Sequence, residues 1–338
     1  MHTVSVIIPT YNRGHILQRA IRSVLTQEIA ATELIIVDDG SEDNTQSIIQ
    51  GVRLELQGQH ENRSPRLISL TQTNQGVSAA RNAGIEAASS EWIAFLDADD
   101  EWLPHNLTAH LQLLRGSSKT HWCATGHAHV RDTSQLHYRG SNGVSGLVDF
   151  WSFARYGDPL PSTLLIRRTV IEQVGGFDPS LRISEDRDLA WRIAQIYPCI
   201  GFDSRITVIK HIDAGGSLMA GSSDRTDSIR TIVMNARRYV DSADPAADNL
   251  IRHLRPLVWG YAFRQRLGAV RIQEPYLQDM FAAFPSANLA ALLGSASRQL
   301  PGPISSIAIK TFGRGLQYWR RGFGAGKRKL RPIDVGYI

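Results

Sequence analysis

The sequence predicts an α/β fold with a mainly parallel sheet, followed by a mainly helical C-terminal region. Three observations lead to this prediction. Short apolar runs alternate with amphipathic segments over the first hundred residues, acidic pairs follow the second and fourth of these runs, and the pattern becomes helical beyond about residue 221. Alternating strands and helices are typical of parallel α/β sheets. Such sheets bind ligands at the carboxyl ends of their strands, where the acidic pairs would lie.

The individual elements are predicted in order from the spacing of apolar residues and from turn residues. The first strand stops at Pro9, and a helix with apolar residues three and four apart follows Asn12. Strands are expected at residues 4–8, 34–37, 67–70 and 92–96, and helices at residues 16–25, 45–56 and 77–88. Further strands are expected at 121–130 and 162–167, a long loop at 141–161 and a helix at 188–196.

A cluster of Gly and Ser at residues 215–223 marks the expected domain boundary. Residues 1–220 would form the α/β domain. Residues 221–338 would form a mainly helical region that ends in a basic tail, because apolar residues recur at helical spacing over 229–240 and again over 250–270.

Composition narrows the class of protein. The 338 residues are 42% hydrophobic and 20% charged, which excludes collagen-like, coiled-coil and wholly disordered chains. The formal charge of +5 arises in the tail. Residues 298–338 hold nine Lys and Arg against one acid, Asp334, whereas the other 297 residues hold 28 basic and 31 acidic groups. A basic tail on a slightly acidic body predicts an anionic surface as partner.

Location is predicted from three features. Cys123 and Cys199 are too few for a disulfide framework or a Cys-rich zinc site, which favours a reducing compartment. No basic and apolar leader precedes the first strand, and no apolar run reaches 18 residues, so neither a signal peptide nor a membrane span is expected. The expected location is the cytoplasm, with the tail resting on the inner face of the cell membrane.

Two acidic pairs directly follow predicted strands. Asp38 and Asp39 could accept hydrogen bonds from a base or a ribose, or bind a cation. The alternative is that this segment caps the next helix, with Ser41 or Asp43 as the capping residue. Asp97 and Asp99 are two residues apart and would face the same way on an extended chain, which suits Mg²⁺ or Mn²⁺. The alternative is a solvated turn after a buried strand.

Two further segments carry candidate chemistry. Gly76 lets the backbone pass close to a ligand, and Arg81 could pair with a phosphate. The alternative is an ordinary helix start with a surface arginine. Glu185 and Asp186 lie where a helix is expected to begin, so they are either favourable charges at its N-terminus or a catalytic base.

Taken together, these segments resemble the family 2 glycosyltransferases, the large inverting group with the GT-A fold. The resemblance covers about residues 3–215. Its motifs are, in chain order, Val6-Ile7-Ile8-Pro9-Thr10-Tyr11-Asn12-Arg13, Ile36-Val37-Asp38-Asp39-Gly40-Ser41, Asn74-x-Gly76 with Ala80-Arg81-Asn82-x-Gly84, Phe95-Leu96-Asp97-Ala98-Asp99-Asp100, Gly175-Gly176-Phe177-Asp178, and Glu185-Asp186-x-Asp188-Leu189-x-x-Arg192.

The resemblance implies a role for each matching residue. Asp186 would be the catalytic base with Glu185 beside it. Asp99 would ligate Mn²⁺ or Mg²⁺, with Asp97 near the metal and the ribose. His211 lies where such enzymes often place a diphosphate or metal contact. The nucleotide-sugar donor would be bound by Pro9, Thr10 and Tyr11 lining the nucleotide pocket, by Asp38 and Asp39 at the nucleoside, and by Arg81 and Asp97.

The resemblance also implies the substrates: a UDP-sugar as donor, and a saccharide or lipid-linked saccharide as acceptor in surface-polysaccharide or glycolipid synthesis. No nucleic acid is expected as a partner. Processive members carry Gln-x-x-Arg-Trp and membrane spans, whereas Gln195 is followed here by Ile196-Tyr197-Pro198-Cys199, which favours a non-processive hexosyltransferase.

Two alternatives to a glycosyltransferase stay open. A nucleotidyltransferase also uses an α/β sheet with paired carboxylates, although no Gly-rich loop with a basic residue follows the first strand. A sugar-nucleotide-binding scaffold without turnover would share the fold, although Asp39, Asp97, Asp99 and Asp186 are all present.

Overall fold

The computed structural model describes residues 2–57, 64–130, 136–139, 145–153, 159–181 and 185–211. Within them, ten strands form one sheet. The strands are β1 (Val4–Thr10), β2 (Glu33–Asp38), β3 (Arg66–Thr71), β4 (Trp92–Phe95), β5 (Asp100–Trp102), β6 (Trp122–Val130), β7 (Leu136–Arg139), β8 (Ser145–Asp149), β9 (Leu164–Arg167) and β10 (Cys199–His211). The α-helices are α1 (Gly14–Leu25), α2 (Thr45–Gln57), α3 (Val77–Ala87), α4 (Asn106–Gly116), α5 (Phe150–Phe153), α6 (Arg168–Val174) and α7 (Glu185–Ile196).

The sheet is mixed and mostly parallel. Its strands lie in the order β3-β2-β1-β4-β9-β6-β10-β5, with β7 beside β6 and β8 beside β10. The first four of these strands are parallel neighbours, and β6 and β10 are parallel as well. Because β9 is antiparallel to both β4 and β6, these two strands run in the same direction. Six of the ten described strands therefore run one way, namely β1, β2, β3, β4, β6 and β10. The α/β fold predicted from the sequence is confirmed.

The core forms around β1 and β2. Every residue of both strands is buried, which is typical of parallel strands that are covered on both faces. The apolar side of α1 joins the same core through Leu17, Ile21 and Val24. Burying one such side chain stabilises the fold by about 1.5–3 kcal/mol. This packing fixes the carboxyl ends of β1 and β2, where Thr10 pairs with Asp38.

Most of the predicted elements are confirmed. The first four expected strands and three expected helices appear as β1–β4 and α1–α3, and the strand expected at 121–130 appears as β6. The segment expected as a strand at 162–167 begins with a short 3₁₀ helix, Pro161–Thr163, because Pro161 has its backbone φ set near the helical value. The helix expected at 188–196 begins earlier, so Glu185 and Asp186 lie in its first turn.

The prediction of a long loop over residues 141–161 is wrong for residues 145–153. Residues 145–149 form β8, which is antiparallel to β10, and the one-turn helix α5 follows. The residues of β8 alternate between half-buried and exposed, so they lack the apolar run that marks a buried strand. Pairing with a distant strand, rather than local sequence, makes this segment extended.

Part of the prediction lies outside the described residues. This holds for the boundary at 215–223, for the helical region at 221–338 and for its basic tail. Within the described residues, the helices are too short or too polar to cross a lipid bilayer. Cys123 is buried, Cys199 is exposed, and both are free thiols.

Candidate active site

Asp38, at the end of β2, is fully buried and holds the turn that follows it. Its Oδ1 accepts a 2.9 Å hydrogen bond from the backbone N–H of Ser41, and its Oδ2 accepts one from Nε2 of Gln46 in α2. Asp43, one of the two candidate caps of α2, accepts a 3.0 Å hydrogen bond at Oδ1 from the backbone N–H of Thr45, the first residue of that helix. Asp38 therefore shapes the turn at the end of the sheet.

Asp39 draws the loop after β3 against the end of β2. Its carboxylate accepts hydrogen bonds from Nε2 of Gln72 at 2.7 Å and from the backbone N–H groups of Gln75 and Gly76 at 2.9 and 2.8 Å. Gly40 permits this approach, because its φ is +82° and a Cβ there would lie 3.0 Å from the loop backbone. The structure thus joins two predicted segments, Asp39 and Gly76, in one hydrogen-bonded unit.

Pro9, Thr10 and Tyr11 lie beside this unit at the end of β1. The carbonyl of Thr10 accepts a 2.9 Å hydrogen bond from the N–H of Asp39, and the buried hydroxyl of Thr10 has no hydrogen-bond partner among the described residues. The side chain of Tyr11 is 45% exposed. Its ring is therefore available to a ligand that lies across the ends of β1 and β2.

Three aspartates follow β4 and come together in one cluster. Ligand oxygens of Asp97, Asp99 and Asp100 all lie within 4.8 Å of one another. The hydroxyl of Ser162 donates to Oδ2 of Asp100 at 2.6 Å and accepts from the N–H of Asp97 at 3.1 Å. Hard oxygen ligands at this spacing fit Mg²⁺ or Mn²⁺. The fully buried Asp100 adds a third carboxylate to the pair Asp97 and Asp99 that the sequence predicts.

Crowding of these carboxylates changes their pKa values. Burial raises the pKa of Asp100 to about 7, with Asp97 and Asp99 adding to the shift and Lys210 opposing it. Burial and the charge of Asp97 also raise the pKa of Asp99. Burial acts on Asp97 in the same direction, but Arg81 and Lys210 outweigh it, so the pKa of Asp97 is lowered. A bound cation would relieve the repulsion that remains.

Lys210 supplies the cation nearest to Asp100. Its Nζ lies 3.2 Å from both carboxylate oxygens of Asp100, because the two residues are partners in the antiparallel β10–β5 ladder. Nε2 of the next residue, His211, lies 3.0 Å from Oε2 of Glu101 instead. His211, expected as a metal contact, is not among the residues of the aspartate cluster, and a metal or diphosphate contact of His211 stays a prediction.

Arg81 joins the aspartate cluster to α7. Its guanidinium is almost fully buried, and it donates from Nη2 to Oδ1 of Asp97 at 2.6 Å and from Nη1 to Oε1 of Glu185 at 2.8 Å. Burial alone would lower the pKa of Arg81, but these two carboxylates outweigh burial and raise it. Arg81 holds both carboxylates in place, and its contact with a donor stays a prediction.

Asp186 is the second carboxylate of α7. Burial, followed by the charge of Glu185, raises the pKa of Asp186 to about 6, whereas Arg187 and Arg81 oppose the shift. Its Oδ1 accepts a 2.7 Å hydrogen bond from the N–H of Arg187. A carboxylate with this pKa is charged at neutral pH and is still basic enough to take a proton. A general base at neutral pH needs these two properties.

Sequence reasoning missed two residues of the site, Asp100 and Lys210. Asp100 is the third acid of the segment that follows β4, so its position in the sequence was a usable signal. Lys210 gave no such signal, because only the pairing of β10 with β5 places Lys210 opposite Asp100.

Comparison with known proteins identifies the family. Residues 5–175 match the family described as "Glycosyl transferase family 2". The chain is 34% identical over 229 residues to the uncharacterized glycosyltransferase alr2836 of Nostoc sp., which covers 61% of this chain and 62% of the relative. It is 36% identical over 114 residues to UDP-Glc:alpha-D-GlcNAc-diphosphoundecaprenol beta-1,3-glucosyltransferase WfgD of Escherichia coli, which covers 33% of this chain and 41% of the relative. The chain thus spans less than two thirds of the length of these relatives.

Solved structures show the same fold. Residues 1–349 of S. aureus TarS, in complex with UDP-GlcNAc, match with a TM-score of 0.66 and 18% identity over 83% of this chain and 79% of that chain. At this identity the similarity concerns the fold alone, and it agrees with the GT-A fold that the sequence motifs imply. Because the family match spans half of the sequence, we conclude that the chain belongs to glycosyl transferase family 2.

Proposed function

We propose that this chain is a metal-dependent, inverting, non-processive glycosyltransferase. It would move one sugar from a UDP-sugar to an acceptor hydroxyl in surface-polysaccharide or glycolipid synthesis. One observation carries the proposal: the buried Arg81 bonds to both Asp97 and Glu185, so the aspartate cluster and the Glu185–Asp186 pair belong to one site. The donor is supported by the UDP-Glc in the name of WfgD and by TarS structures with UDP and UDP-GlcNAc.

In this proposal Asp186 is the base. Its carboxylate takes the proton of the acceptor hydroxyl while the oxygen attacks the anomeric carbon of the donor. Attack on the face opposite the leaving diphosphate inverts the configuration in one displacement, without a covalent intermediate. Glu185 stays fixed by Arg81, and burial together with the charge of Glu185 keeps the pKa of Asp186 high enough for proton transfer.

The aspartate cluster would hold the diphosphate end of the donor. Mn²⁺ or Mg²⁺, when bound, would neutralise the charge that grows on the leaving diphosphate. Asp99 and Asp97 would be its ligands, with Asp100 completing the oxygen set. Arg81 keeps Asp97 charged, and Lys210 balances the charge of Asp100. Holding the donor and the carboxylate of Asp186 in the correct relative position would supply much of the rate acceleration expected of such a site.

The nucleoside would lie along Pro9, Thr10 and Tyr11, next to the turn held by Asp38. A carboxylate offers about four acceptor positions. Asp39 uses three of them for the loop after β3, so one position is left to accept from the ring N–H of a pyrimidine. With this arrangement Asp39 can hold the loop after β3 and still accept a hydrogen bond from the pyrimidine ring of the donor.

Acceptor and location follow from the relatives and the tail. The name of WfgD gives a sugar diphosphoundecaprenol as its acceptor, so we propose a saccharide or lipid-linked saccharide acceptor here. An enzyme that uses such an acceptor works at a membrane. The basic tail from residue 298 would bring a cytoplasmic enzyme to the anionic inner face.

The products released from a donor test the proposal against its alternatives. Incubation with UDP-glucose or UDP-GlcNAc and Mn²⁺ should release UDP, and EDTA should stop the release. Pyrophosphate as product would indicate a nucleotidyltransferase, and absence of turnover with both donors would favour a binding scaffold.

Metal binding is tested within the same assay. Asp99→Asn keeps the shape of the side chain and removes a charged ligand, so UDP release should fall to background. Asp203→Asn is the matched control, since Asp203 pairs with Arg205 on β10 and not with the cluster. Full activity of Asp99→Asn, or of wild type in EDTA, would contradict a metal role for the cluster.

A further inference from the structure

Residues 175–181, which we name the connection, follow α6 and in the sequence precede α7, the helix that carries Glu185 and Asp186. Gly175 and Gly176 both have left-handed backbones, with φ of +80° and +70°. Their N–H groups bond back to the carbonyls of Glu172 and Ile171, which ends α6. The chain therefore reverses over two glycines just before the segment that leads to α7.

A side chain of α3 holds this connection. Nδ2 of Asn82 donates to the carbonyl of Phe177 at 2.8 Å, and Oδ1 of Asn82 accepts from the N–H of Phe177 at 2.8 Å. The two residues are 95 positions apart in the sequence. A Cβ on Gly176 would lie 2.6 Å from the same Oδ1, so only glycine allows the backbone to come this close. We name these two hydrogen bonds the Asn82 clamp.

The clamp fixes the ring of Phe177 beneath Arg81. Phe177 is buried and meets the ring of Phe95 edge-on, with centroids 5.2 Å apart. The guanidinium carbon of Arg81 lies 5.0 Å from the centroid of the Phe177 ring. A cation over an aromatic face is attracted by it, most strongly where water is excluded. Arg81 is thus supported from below by Phe177 while it donates to Asp97 and Glu185.

The far side of the connection is tied to α7 itself. Nη1 of Arg192 donates to the carbonyl of Val174 at 2.6 Å, and its Nε donates to Asp188 at 2.8 Å. The end of α6 is therefore bound to α7, and the following residues are bound to α3. Arg192 therefore links the position of the end of α6 to the position of α7.

From this geometry we propose that Asn82 is a positioning residue for the transfer reaction. It acts through Phe177 and Arg81. Through them it holds Glu185, and with it the first turn of α7, in a fixed position relative to Asp97. Asn82 touches neither the base nor the aspartate cluster in any contact that the structure gives for it. The proposal rests on the proposed function only for its catalytic consequence, because the clamp itself can be measured without turnover.

Hydrogen exchange measures the clamp directly. Asn82→Ala removes both hydrogen bonds, so amides in peptides covering residues 175–190 should exchange about tenfold faster or more. Asn106→Ala is the matched control, because Asn106 is a buried asparagine whose amide donates to Thr207 in another part of the fold. Unchanged exchange in Asn82→Ala, or the same increase in Asn106→Ala, would overturn the clamp.

Two adjacent glycines give an independent test. Gly176→Ala drives a Cβ into Asn82, whereas Gly175→Ala meets nothing within 4 Å although its φ is similarly left-handed. Both variants should lose stability from backbone strain. Only Gly176→Ala should accelerate exchange over residues 185–190. Equal exchange in the two variants would contradict a specific role for the contact with Asn82.

Turnover measures the catalytic consequence. With UDP-glucose or UDP-GlcNAc and Mn²⁺, Asn82→Ala and Gly176→Ala should lower kcat for UDP release by about 10- to 100-fold, the usual cost of misplaced catalytic groups. The Kd of UDP, measured by calorimetry, should stay within about threefold of wild type. Asn106→Ala and Gly175→Ala should keep wild-type kcat. A kcat in Asn82→Ala equal to that of Asn106→Ala would overturn the positioning role.

Asp186→Asn in the same assay separates the positioning role of Asn82 from the proposed glycosyltransferase function. If wild type turns over and Asp186→Asn does not, a normal kcat in Asn82→Ala refutes the positioning role alone. If Asp186→Asn stays fully active, or wild type releases no UDP, the proposed function fails. The exchange data then still decide whether Asn82 holds the connection.

Discussion

In the proposed mechanism Asp186 is the base, and its neighbours set its pKa. Burial and Glu185 raise its pKa, while Arg187 and Arg81 limit the rise to a value of about 6. Arg81 therefore has two effects, since it fixes Glu185 at 2.8 Å and also restrains the basicity of the adjacent carboxylate. The same guanidinium keeps the pKa of Asp97 low. At the scale of single residues, one buried cation contributes to the charge states on both sides of the site.

Replacing Asp186 tests the base. Asp186→Asn keeps the size of the side chain and removes its proton affinity, so kcat should fall by about 10²–10⁴-fold. Binding of UDP should stay near that of wild type, because Asp186 acts on the acceptor. Steady-state kinetics and calorimetry measure the two quantities. A larger loss in Glu185→Gln than in Asp186→Asn would assign the base to Glu185 instead.

The pH dependence of kcat in the wild-type enzyme is a second test of Asp186. Only the deprotonated carboxylate accepts a proton, so kcat should be level above the pKa of about 6 and fall about tenfold per pH unit below it. The acid limb should be absent from the residual activity of Asp186→Asn. An unchanged acid limb in this variant would show that another group causes it.

At the scale of elements, a buried carboxylate fastens the amino ends of the strands. Glu33 of β2 accepts from the hydroxyl of Ser5 in β1 at 2.6 Å and from both the N–H and the hydroxyl of Ser89 before β4, and it also bonds to Arg66 of β3. Burial alone would raise the pKa of Glu33, but these hydrogen bonds lower it to about 2. One side chain thus joins the four parallel strands at the end opposite the active site.

Stability should depend on this carboxylate. In the unfolded chain the pKa of Glu33 is about 4.5, so the folded state favours the charged form. The stabilisation is complete above pH 4.5 and is lost as the pH falls toward 2. Glu33→Gln should cost about 2–3 kcal/mol at pH 7 and less at pH 2.5. Urea unfolding measures both values, and Glu172→Gln, which breaks only a surface pair, should cost less than about 1 kcal/mol. An equal cost at both pH values would contradict this account of Glu33.

The elements also show what sequence can predict. The centres of β1, β2 and β4 are apolar runs, so local patterns suffice to locate these strands, although β1 continues past Pro9 to Thr10. β10 is interrupted by Asp203, Ser204 and Arg205, where its register against β6 shifts, and local patterns therefore fail. The motif residues on β1, β2 and β4 were predictable because they follow such runs. The positions of Lys210, and of Asn82 against Phe177, depend on contacts between distant segments and were not.

At the scale of the whole molecule, the charge of the chain is concentrated in one place. The formal charge of +5 arises from residues 298–338, and the remainder is slightly acidic. Aromatic residues alternate with the basic ones in this segment. Such a composition suits an anionic membrane interface, where each Lys or Arg contributes about 1 kcal/mol.

Neutralising part of the tail tests membrane attachment. A full-length variant with glutamine at Lys327, Arg328, Lys329 and Arg331 should bind phosphatidylserine vesicles at least tenfold more weakly than wild type. Binding of wild type should weaken as salt rises, since these charges are screened. UDP release should be the same in both proteins. Indifference of wild type to anionic vesicles at low salt would refute a membrane role for the tail.

The central claim is that the whole chain transfers a sugar in one inverting displacement. Proton NMR of the sugar first released from UDP-glucose in the presence of Mn²⁺ tests this claim directly, with water as the acceptor. The donor is α-linked, so a single displacement assisted by Asp186 predicts β-glucose as the initial product, before spontaneous mutarotation. Initial release of α-glucose would contradict the account, because it requires retention of configuration and a second nucleophilic step that the proposed site does not supply.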